Sequence, residues 1–277
     1  MPNIAYPPAR QLSVGEVLDL TFRIYRATVI RCMLLAALGV LASQLWRLYA
    51  LARGLQLTNL RSLPALLHDP QFVALYIVGI LAQTVLMSAV ILRQYRLITG
   101  PESAAGDVAA ATRRLPAIIA LGILFTATCG ACFLPALVGG ALRPLFVLFC
   151  LAALSYVLVA LLSAHTILLT EGSGPLASYQ RSWRLTRGSF WRLSVVYFIA
   201  LLILLAIYWI LLIIIGVLGL IIGRGDVAVM TATGAVLGVA LGALVAPFYT
   251  ALSIAILGDL KVRREGTDLE QRIAASA

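Results

Sequence analysis

The chain has 277 residues, of which 62% are hydrophobic and 12% are charged, and it carries a net charge of +10. Soluble proteins average about 25% charged residues, so this composition excludes an ordinary soluble domain and is typical of a membrane protein. We expect no nucleic-acid partner, because the sequence contains no soluble basic domain with a recognisable binding module.

Six apolar stretches are long enough to cross a bilayer. A spanning helix needs roughly 20 mostly apolar residues, because the hydrocarbon core is about 30 Å thick and each residue rises about 1.5 Å. The predicted spans cover residues 32–52, 71–92, 115–138, 145–169, 193–222 and 227–257. They are continuous rather than short and alternating, which favours helices. The sequence therefore predicts an all-α integral membrane protein with six transmembrane helices.

Similar polar segments recur before pairs of spans. The first contains Ser13 and Glu16 at the spacing of a capping box, in which each side chain satisfies a backbone N–H of the other residue. A later one contains Pro175, which suits the first turn of a helix. We interpret the chain as a single membrane domain of three transmembrane hairpins, each preceded by an amphipathic interfacial elbow helix. The predicted units are 13–98, 99–170 and 171–260, followed by a cytoplasmic tail at 261–277 that begins a fourth elbow at Thr267.

The elbow helices are amphipathic and basic. On a helical wheel, Val14, Val17 and Leu18 lie on the side of the first elbow helix opposite its charged residues. Tyr179 and Trp183 lie on the side of the third elbow helix opposite its arginines. Basic residues near a membrane surface attract anionic lipids, at about 1 kcal/mol each. We therefore predict anionic membrane lipids as partners. The predicted lipid-headgroup interface consists of Arg23, Arg26, Arg181, Arg184, Arg187 and Arg192.

The cationic residues fall mainly on one side of the predicted spans. Of the 21 Lys and Arg residues, sixteen lie on the side of the two termini, and the other five are Arg47, Arg53, Arg61, Arg143 and Arg224. Short cytoplasmic loops carry the excess of Lys and Arg in membrane proteins. We therefore expect both termini in the cytoplasm.

Cys129 and Cys132 form a Cys-x-x-Cys pair in the third predicted span. Such a pair can cycle between dithiol and disulfide. The other interpretation is that these thiols are small hydrophobic residues in the bundle. Redox use is the less favoured of the two, because a membrane thiol oxidant needs a second dithiol to relay electrons. We expect no metal, since neither His68 nor His165 supplies a convincing third ligand.

Polar residues within the spans are mostly uncharged. Charged residues are costly inside a bilayer and mark function there. Six acidic residues instead fall at span ends or in loops, namely Asp69, Glu102, Asp107, Glu171, Asp226 and Asp259. We interpret the uncharged polar residues as interhelical hydrogen-bond partners. This set comprises Gln83, Thr84, Ser88, Ser155, Ser163, His165 and Tyr249.

The sixth predicted span carries a stripe of small residues. Gly234, Gly238 and Gly242 recur at every fourth position and fall on nearly one helix face, where another backbone can approach closely. Packing against the fifth span is the favoured interpretation. A face for a homo-oligomer or a partner membrane protein is the alternative.

The sequence offers no set of residues for catalysis. It contains no phosphate-binding glycine loop, no dinucleotide fingerprint after a strand and no Ser-His-Asp signature. We therefore expect a protein that is not an enzyme and has no cofactor.

Two motifs resemble a broad group of bacterial inner-membrane proteins related to the membrane domain of glycerophosphoryl diester phosphodiesterases. The first motif comprises Leu12, Gly15, Glu16, Leu18 and Asp19. The second motif comprises Gly174, Pro175, Ser182, Trp183, Leu185 and Gly188. Tyr179 and Gln180 stand where the second motif has small residues. The resemblance implies a multi-helix module of the bacterial inner membrane. It does not imply phosphodiesterase activity, because that chemistry belongs to a separate barrel domain for which this chain has no room.

These features together favour a non-enzymatic inner-membrane scaffold or envelope-maintenance protein whose basic elbows engage anionic lipid. The alternative is a permease or export component for a lipid-like or peptide cargo, with a cavity among the six spans. A polar, water-accessible cavity would favour transport, and a tightly packed bundle with lipid at the elbows would favour the scaffold.

The predicted orientation can be tested with terminal reporter fusions. A reporter that is active only in the cytoplasm is expected to be active at either terminus, because the excess of Lys and Arg lies on that side. Activity at a terminus of a reporter that works only outside the cytoplasm would contradict the orientation.

Overall fold

The computed structural model describes residue 4 and residues 6–53, 68–100, 106–137, 143–223 and 227–266. Every regular element within these ranges is helical. The helices are α1 (Val14–Ser43), α2 (Leu45–Ala52), α3 (Pro70–Thr99), α4 (Asp107–Arg113), α5 (Leu115–Ala131), α6 (Arg143–Leu161), α7 (Ala164–Glu171), α8 (Pro175–Thr186), α9 (Phe190–Gly223) and α10 (Val227–Glu265). A short 3₁₀ turn at Leu134–Leu137 follows α5.

The structure contains six helical stretches that are long and apolar enough to cross a membrane. They are Val14–Ser43, Pro70–Thr99, Leu115–Ala136, Arg143–Glu171, Phe190–Gly219 and Val236–Glu265. This confirms the all-α class and indicates a multi-pass membrane protein. The predicted fourth elbow at 267–270 lies outside the described residues, as do Arg61, Arg224 and Arg272.

The first helix begins where the sequence predicts, but it extends further than expected. The Ser13 N–H donates to the Glu16 carboxylate over 2.8 Å, and the Glu16 N–H lies 3.4 Å from the Ser13 hydroxyl, which confirms the capping box. Neither Gly nor Pro occurs between Gly15 and Gly39, so no residue breaks the helix there. The prediction of a separate first elbow followed by a span at 32–52 is wrong, because residues 14–43 form one helix.

The junction before α9 agrees with the sequence-based prediction. Pro175 occupies the first turn of α8, where its missing N–H costs no hydrogen bond. Gly188 follows the end of α8 with φ +79°, a left-handed conformation that favours glycine. The Leu193 N–H then donates to the Ser189 carbonyl over 2.9 Å and opens α9.

Helix α10 is the central helix of the bundle. It packs along α1 and α9 and also contacts α3, α7 and α8. In its most apolar stretch 61% of the residues are buried, against 6% in the corresponding stretch of α9. Large apolar side chains of α9 are accordingly exposed, among them Ile213 at 62% and Leu201 at 57%. In a bilayer this helix would present its apolar side chains to lipid.

A buried amide links the three central helices. The Gln94 side chain on α3 is fully buried, and its Nε2 donates to the Thr28 hydroxyl over 3.0 Å and to the Pro247 carbonyl over 2.9 Å. The Thr250 hydroxyl donates to Gln94 Oε1 over 2.5 Å. Gln94 therefore joins α1, α3 and α10, and sequence analysis did not single it out.

Some predicted polar contacts between helices are present and others are not. The Ser88 hydroxyl lies 3.1 Å from His165 Nε2 and links α3 with α7, as predicted. The Thr84 and Ser155 hydroxyls instead donate to carbonyls of their own helices. A hydroxyl in an apolar medium takes the nearest free acceptor, and a carbonyl one turn earlier is always close.

Replacing Gln94 with Leu is expected to destabilise the bundle by about 2–5 kcal/mol, because three interhelical hydrogen bonds of about 0.6–1.7 kcal/mol each are lost. The unfolding free energy in detergent measures the effect. Gln83→Leu is the matched control on the same helix, since its side chain is only partly buried and has no recorded hydrogen bond in the described chain. Equal losses for the two variants would contradict the assigned role of Gln94.

Candidate functional site

Three carboxylates organise the charged part of the molecule. The side chains of Asp107 and Asp259 are each only 1% exposed, and that of Glu171 is 17% exposed. Each of the three contacts two cationic side chains. Such partners are required, because removing a lone charge from water costs several kcal/mol.

The Asp259 cluster joins three parts of the chain. Arg192, at the start of α9, contacts the carboxylate, and Arg263 contacts it from the next turn of α10 over 3.1 Å. The Leu12 N–H donates to the same carboxylate over 2.8 Å. The Leu12 carbonyl in turn accepts hydrogen bonds from Arg192, over 3.2 Å, and from Arg263. Asp259 thereby fixes the segment before α1 against α9 and α10.

The N-terminal segment lies across α10 and ends in this cluster. The Tyr6 hydroxyl donates to the Ile254 carbonyl over 3.2 Å, and burial raises its pKa, so that it stays a neutral donor. The Tyr6 ring packs edge-on against Tyr95. A Cβ at Gly258 would lie 2.7 Å from the ring, so the ring needs a glycine there.

The Glu171 cluster connects the end of α7 with α8 and the last turns of α10. Arg181 contacts Glu171 over 3.1 Å and also donates to both carboxylate oxygens of Glu265, over 2.8 and 2.9 Å. Lys261 contacts Glu171 over 2.8 Å. The single lysine of the chain and Arg181 are therefore engaged within the protein.

The Asp107 cluster holds the short helix α4 against α3. Asp107 contacts Arg93 over 3.0 Å and Arg96 over 2.6 Å, and Arg93 also donates to the Arg31 carbonyl on α1 over 3.0 Å. Asp107 lies in the first turn of α4, where its charge also favours the helix dipole. Sequence analysis placed Asp107 at a span end without naming these partners.

The six arginines predicted to contact lipid fall into two groups. Arg181 and Arg192 are engaged with carboxylates, as described above. Arg23, Arg26, Arg184 and Arg187 are exposed, and no ion pair is recorded for them within the described part of the chain. The second group is therefore available for anionic groups outside the protein.

Arg23 and Arg26 line a cleft of about 800 Å³ beside the first half of α1. Its wall carries three arginines, the third being Arg10, and two carboxylates, those of Glu16 and Asp19. Arg10 and Glu16 form an exposed ion pair, and the Glu16 carboxylate raises the pKa of the Arg10 guanidinium. Arg23 and Arg26 are therefore the cations of the cleft that have no recorded ion pair among the described residues. Asp19 is the cleft carboxylate nearest to them in sequence.

Helix α8 contacts the bundle mainly through small polar residues. Ser178, Ser182 and Thr186 are buried, and Ser182 and Thr186 donate to the Ala160 carbonyl over 2.7 and 3.3 Å. That carbonyl belongs to the last turn of α6 and has no partner within its own helix. From the sequence, we interpret this helix as interfacial, with Tyr179 and Trp183 on its apolar side, and sequence analysis did not single out these buried hydroxyls.

The aromatic side of α8 packs on α6. The ring of Tyr156 on α6 lies 5.4 Å from that of Trp183 on α8, and 5.3 Å from that of Phe190 at the start of α9, measured between centroids. Leu176, which lies on the same side of α8 as Trp183, is 56% exposed. The predicted apolar face thus contacts both the bundle and its surroundings.

The thiols and the candidate metal ligands form no centre in the described chain. Cys129 and Cys132 are free and partly buried, and Cys32 and Cys150 are free and buried. No group of three or more His, Cys, Asp or Glu side chains suited to a metal ion occurs among the described residues. The redox proposal for Cys129 and Cys132 stays a prediction.

The glycine stripe of α10 makes one close contact with a neighbouring helix. A Cβ at Gly242 would lie 2.7 Å from Val40 on α1, whereas a Cβ at Gly234 or Gly238 would meet no described atom within 4 Å. Helix α10 therefore approaches α1, and not the expected α9, at Gly242. On α3, a Cβ at Gly79 would lie 2.6 Å from the Ala42 carbonyl, a close approach that sequence analysis did not predict.

No known protein family, curated protein or solved structure matches the chain. The resemblance to the phosphodiesterase-related membrane proteins therefore stays a hypothesis based on its two motifs. Function is therefore inferred from the geometry of the site itself.

Replacing Asp259 with Asn is expected to destabilise the protein by about 3–5 kcal/mol, because Arg192 and Arg263 would lose the charge that balances them in a buried site. The unfolding free energy in detergent measures the loss. Glu16→Gln is the control, since the ion pair of Glu16 with Arg10 is exposed to solvent and contributes little. A loss at Asp259 no larger than that at Glu16 would contradict the account.

Proposed function

We propose that the protein is a non-enzymatic scaffold or envelope-maintenance protein of the bacterial inner membrane that engages anionic lipid headgroups. In this proposal the spans form three hairpins, of which the second and third are preceded by interfacial elbows, and both termini are cytoplasmic. The observation that carries it is the cleft beside α1, where Arg23 and Arg26 are exposed and no ion pair is recorded for them in the described chain.

The chemistry of the cleft suits a phosphate-bearing headgroup. A guanidinium donates two parallel hydrogen bonds to phosphate oxygens and holds its charge at every physiological pH. The cleft volume of about 800 Å³ lies within the range of about 300–1,000 Å³ that is usual for small-molecule sites. Leu20 and Ala27 line the same cleft and offer apolar contact to the glycerol and upper acyl region of a lipid.

The proposal assigns no catalysis to the chain. The carboxylates that are most buried, Asp107 and Asp259, are occupied by ion pairs with arginines. A carboxylate that acts as a general base must lie within hydrogen-bonding reach of a substrate. The pairing of these acids supports a structural role for them.

The permease alternative depends on a cavity of about 270 Å³ between α5, α6, α7, α8 and α10. Its lining contains no Asp, Glu, Lys or Arg side chain. A pathway for a polar or peptide cargo needs hydrogen-bonding groups along its length. The mainly apolar lining favours the scaffold over a carrier of polar cargo.

The proposal predicts that Arg23 and Arg26 determine the preference for anionic lipid. In the double variant Arg23→Gln with Arg26→Gln, affinity for phosphatidylglycerol is expected to fall about 30-fold, which corresponds to about 1 kcal/mol for each cation removed. Native mass spectrometry of the delipidated full-length protein, titrated with phosphatidylglycerol or phosphatidylcholine, measures both affinities.

The double variant Arg47→Gln with Arg53→Gln is the matched control, because it removes the same charge from two exposed arginines near α2. It is expected to retain most of the phosphatidylglycerol affinity. Equal losses of affinity in the two double variants would mean that binding depends on net charge and not on the cleft. Equal wild-type affinity for the two lipids would overturn the proposal.

A further inference from the structure

The cavity of about 270 Å³ is bounded by several helices. Leu121 and Phe125 of α5 and Leu161 of α6 contribute to its apolar wall, and His165 of α7 and Tyr249 of α10 line it as well. Tyr249 is 43% exposed, so the cavity reaches the surface of the bundle. Of the helices around it, α5, α6, α7 and α10 belong to the stretches that are long and apolar enough to cross a membrane, and the short helix α8, which contributes Tyr179, does not.

The polar groups of this cavity differ in their hydrogen bonding. His165 Nε2 already lies 3.1 Å from the Ser88 hydroxyl, and the Tyr179 hydroxyl lies 2.8 Å from that of Thr128. No hydrogen bond of the Tyr249 hydroxyl is recorded within the described residues. The cavity thus combines an apolar wall with one hydroxyl that is available to a ligand.

We propose that this cavity is a binding site for one acyl chain of a membrane lipid, with the Tyr249 hydroxyl donating a hydrogen bond to the ester carbonyl of that chain. The volume lies below the range of about 300–1,000 Å³ usual for drug-sized ligands, so it admits a chain rather than a whole lipid. The uncharged lining excludes ions and charged headgroups, because their desolvation would be uncompensated.

The surroundings of the cavity determine which apolar ligand reaches it. An opening between membrane-spanning helices faces hydrocarbon, in which lipid chains are the abundant apolar species. An ester carbonyl buried without a donor would lose a hydrogen bond, and Tyr249 supplies that donor. This site is separate from the arginine cleft and does not depend on the proposed function.

Gly122 allows the cavity to be filled without disturbing the helix packing. It lines the cavity, and a Cβ there would meet no described atom within 4 Å. Gly130 on the same helix is equally open but does not line the cavity. Gly122→Leu and Gly130→Leu are therefore the same substitution inside and outside the proposed site.

The test uses the full-length protein in phosphatidylcholine vesicles that contain a phosphatidylcholine with a photoactivatable diazirine in one acyl chain. Cross-linked peptides are mapped by mass spectrometry, and the exposed face of α9 is the reference for bulk lipid contact. Wild-type protein is expected to be labelled at residues 118–125 and 161–165 above that reference. Gly122→Leu is expected to lose this excess, and Gly130→Leu is expected to keep it.

Wild-type labelling at the α9 level, or equal loss in the two glycine variants, would overturn the proposal. A comparison of ester-linked and ether-linked probes supplies an independent measurement. Only the ester-linked lipid has the carbonyl that the Tyr249 hydroxyl would bind, so Tyr249→Phe tests that hydrogen bond. The wild-type site is expected to favour the ester-linked probe over the ether-linked one, and Tyr249→Phe is expected to abolish that preference. A preference that persists in Tyr249→Phe would contradict the assigned hydrogen bond. Since both lipids are neutral overall, neither result depends on the arginine cleft.

Discussion

The structure depends on the requirement that a buried carboxylate be paired. The Asp259 side chain is 1% exposed, and its two arginine partners and the Leu12 N–H come from the start of α9, the end of α10 and the segment before α1. Leaving such a charge unpaired costs several kcal/mol, so these three segments are held together whenever the protein is folded. The same requirement holds α4 to α3 at Asp107.

This pairing divides the arginines by role. Arg181 and Arg192 stabilise the fold through Glu171, Glu265 and Asp259, and their charges are balanced within the protein. Arg184 lies on α8 and Arg187 lies directly after it. Both are exposed, like Arg23 and Arg26 in the cleft beside α1. A basic sequence segment can therefore contain both structural cations and cations that face the surroundings. Net charge alone does not distinguish the two groups.

Local sequence signals predicted local structure correctly. The capping box of Ser13 and Glu16 and the helix start at Pro175 depend on residues at most a few positions apart, and both are present. The start of the first span was predicted wrongly. The hydropathy criterion leaves the arginine-containing turns before residue 32 out of the predicted span. Helix continuity depends instead on the absence of helix-breaking residues, and α1 has neither Gly nor Pro between Gly15 and Gly39.

Contacts between distant segments could not be predicted from one sequence. Gln94 and Thr250 are 156 residues apart, and nothing in their local sequence indicates that they bond. The glycine stripe indicated close packing, but which glycine meets a neighbour depends on the helix crossing. Only Gly242 of its three glycines has a close neighbour among the described atoms. The repeat units, the redox pair and the lipid interface stay predictions.

We propose that Arg23 and Arg26, which have no recorded ion pair among the described residues, bind anionic headgroups beside α1, while the carboxylate-paired arginines stabilise the fold. The most direct measurement is an electron cryomicroscopy structure of the full-length protein in nanodiscs of phosphatidylglycerol. Phosphate density is expected in the cleft within hydrogen-bonding distance of Arg23 and Arg26, with Arg192 still paired to Asp259. A cleft without headgroup density, or headgroups that displace Asp259 from Arg192, would contradict the proposal.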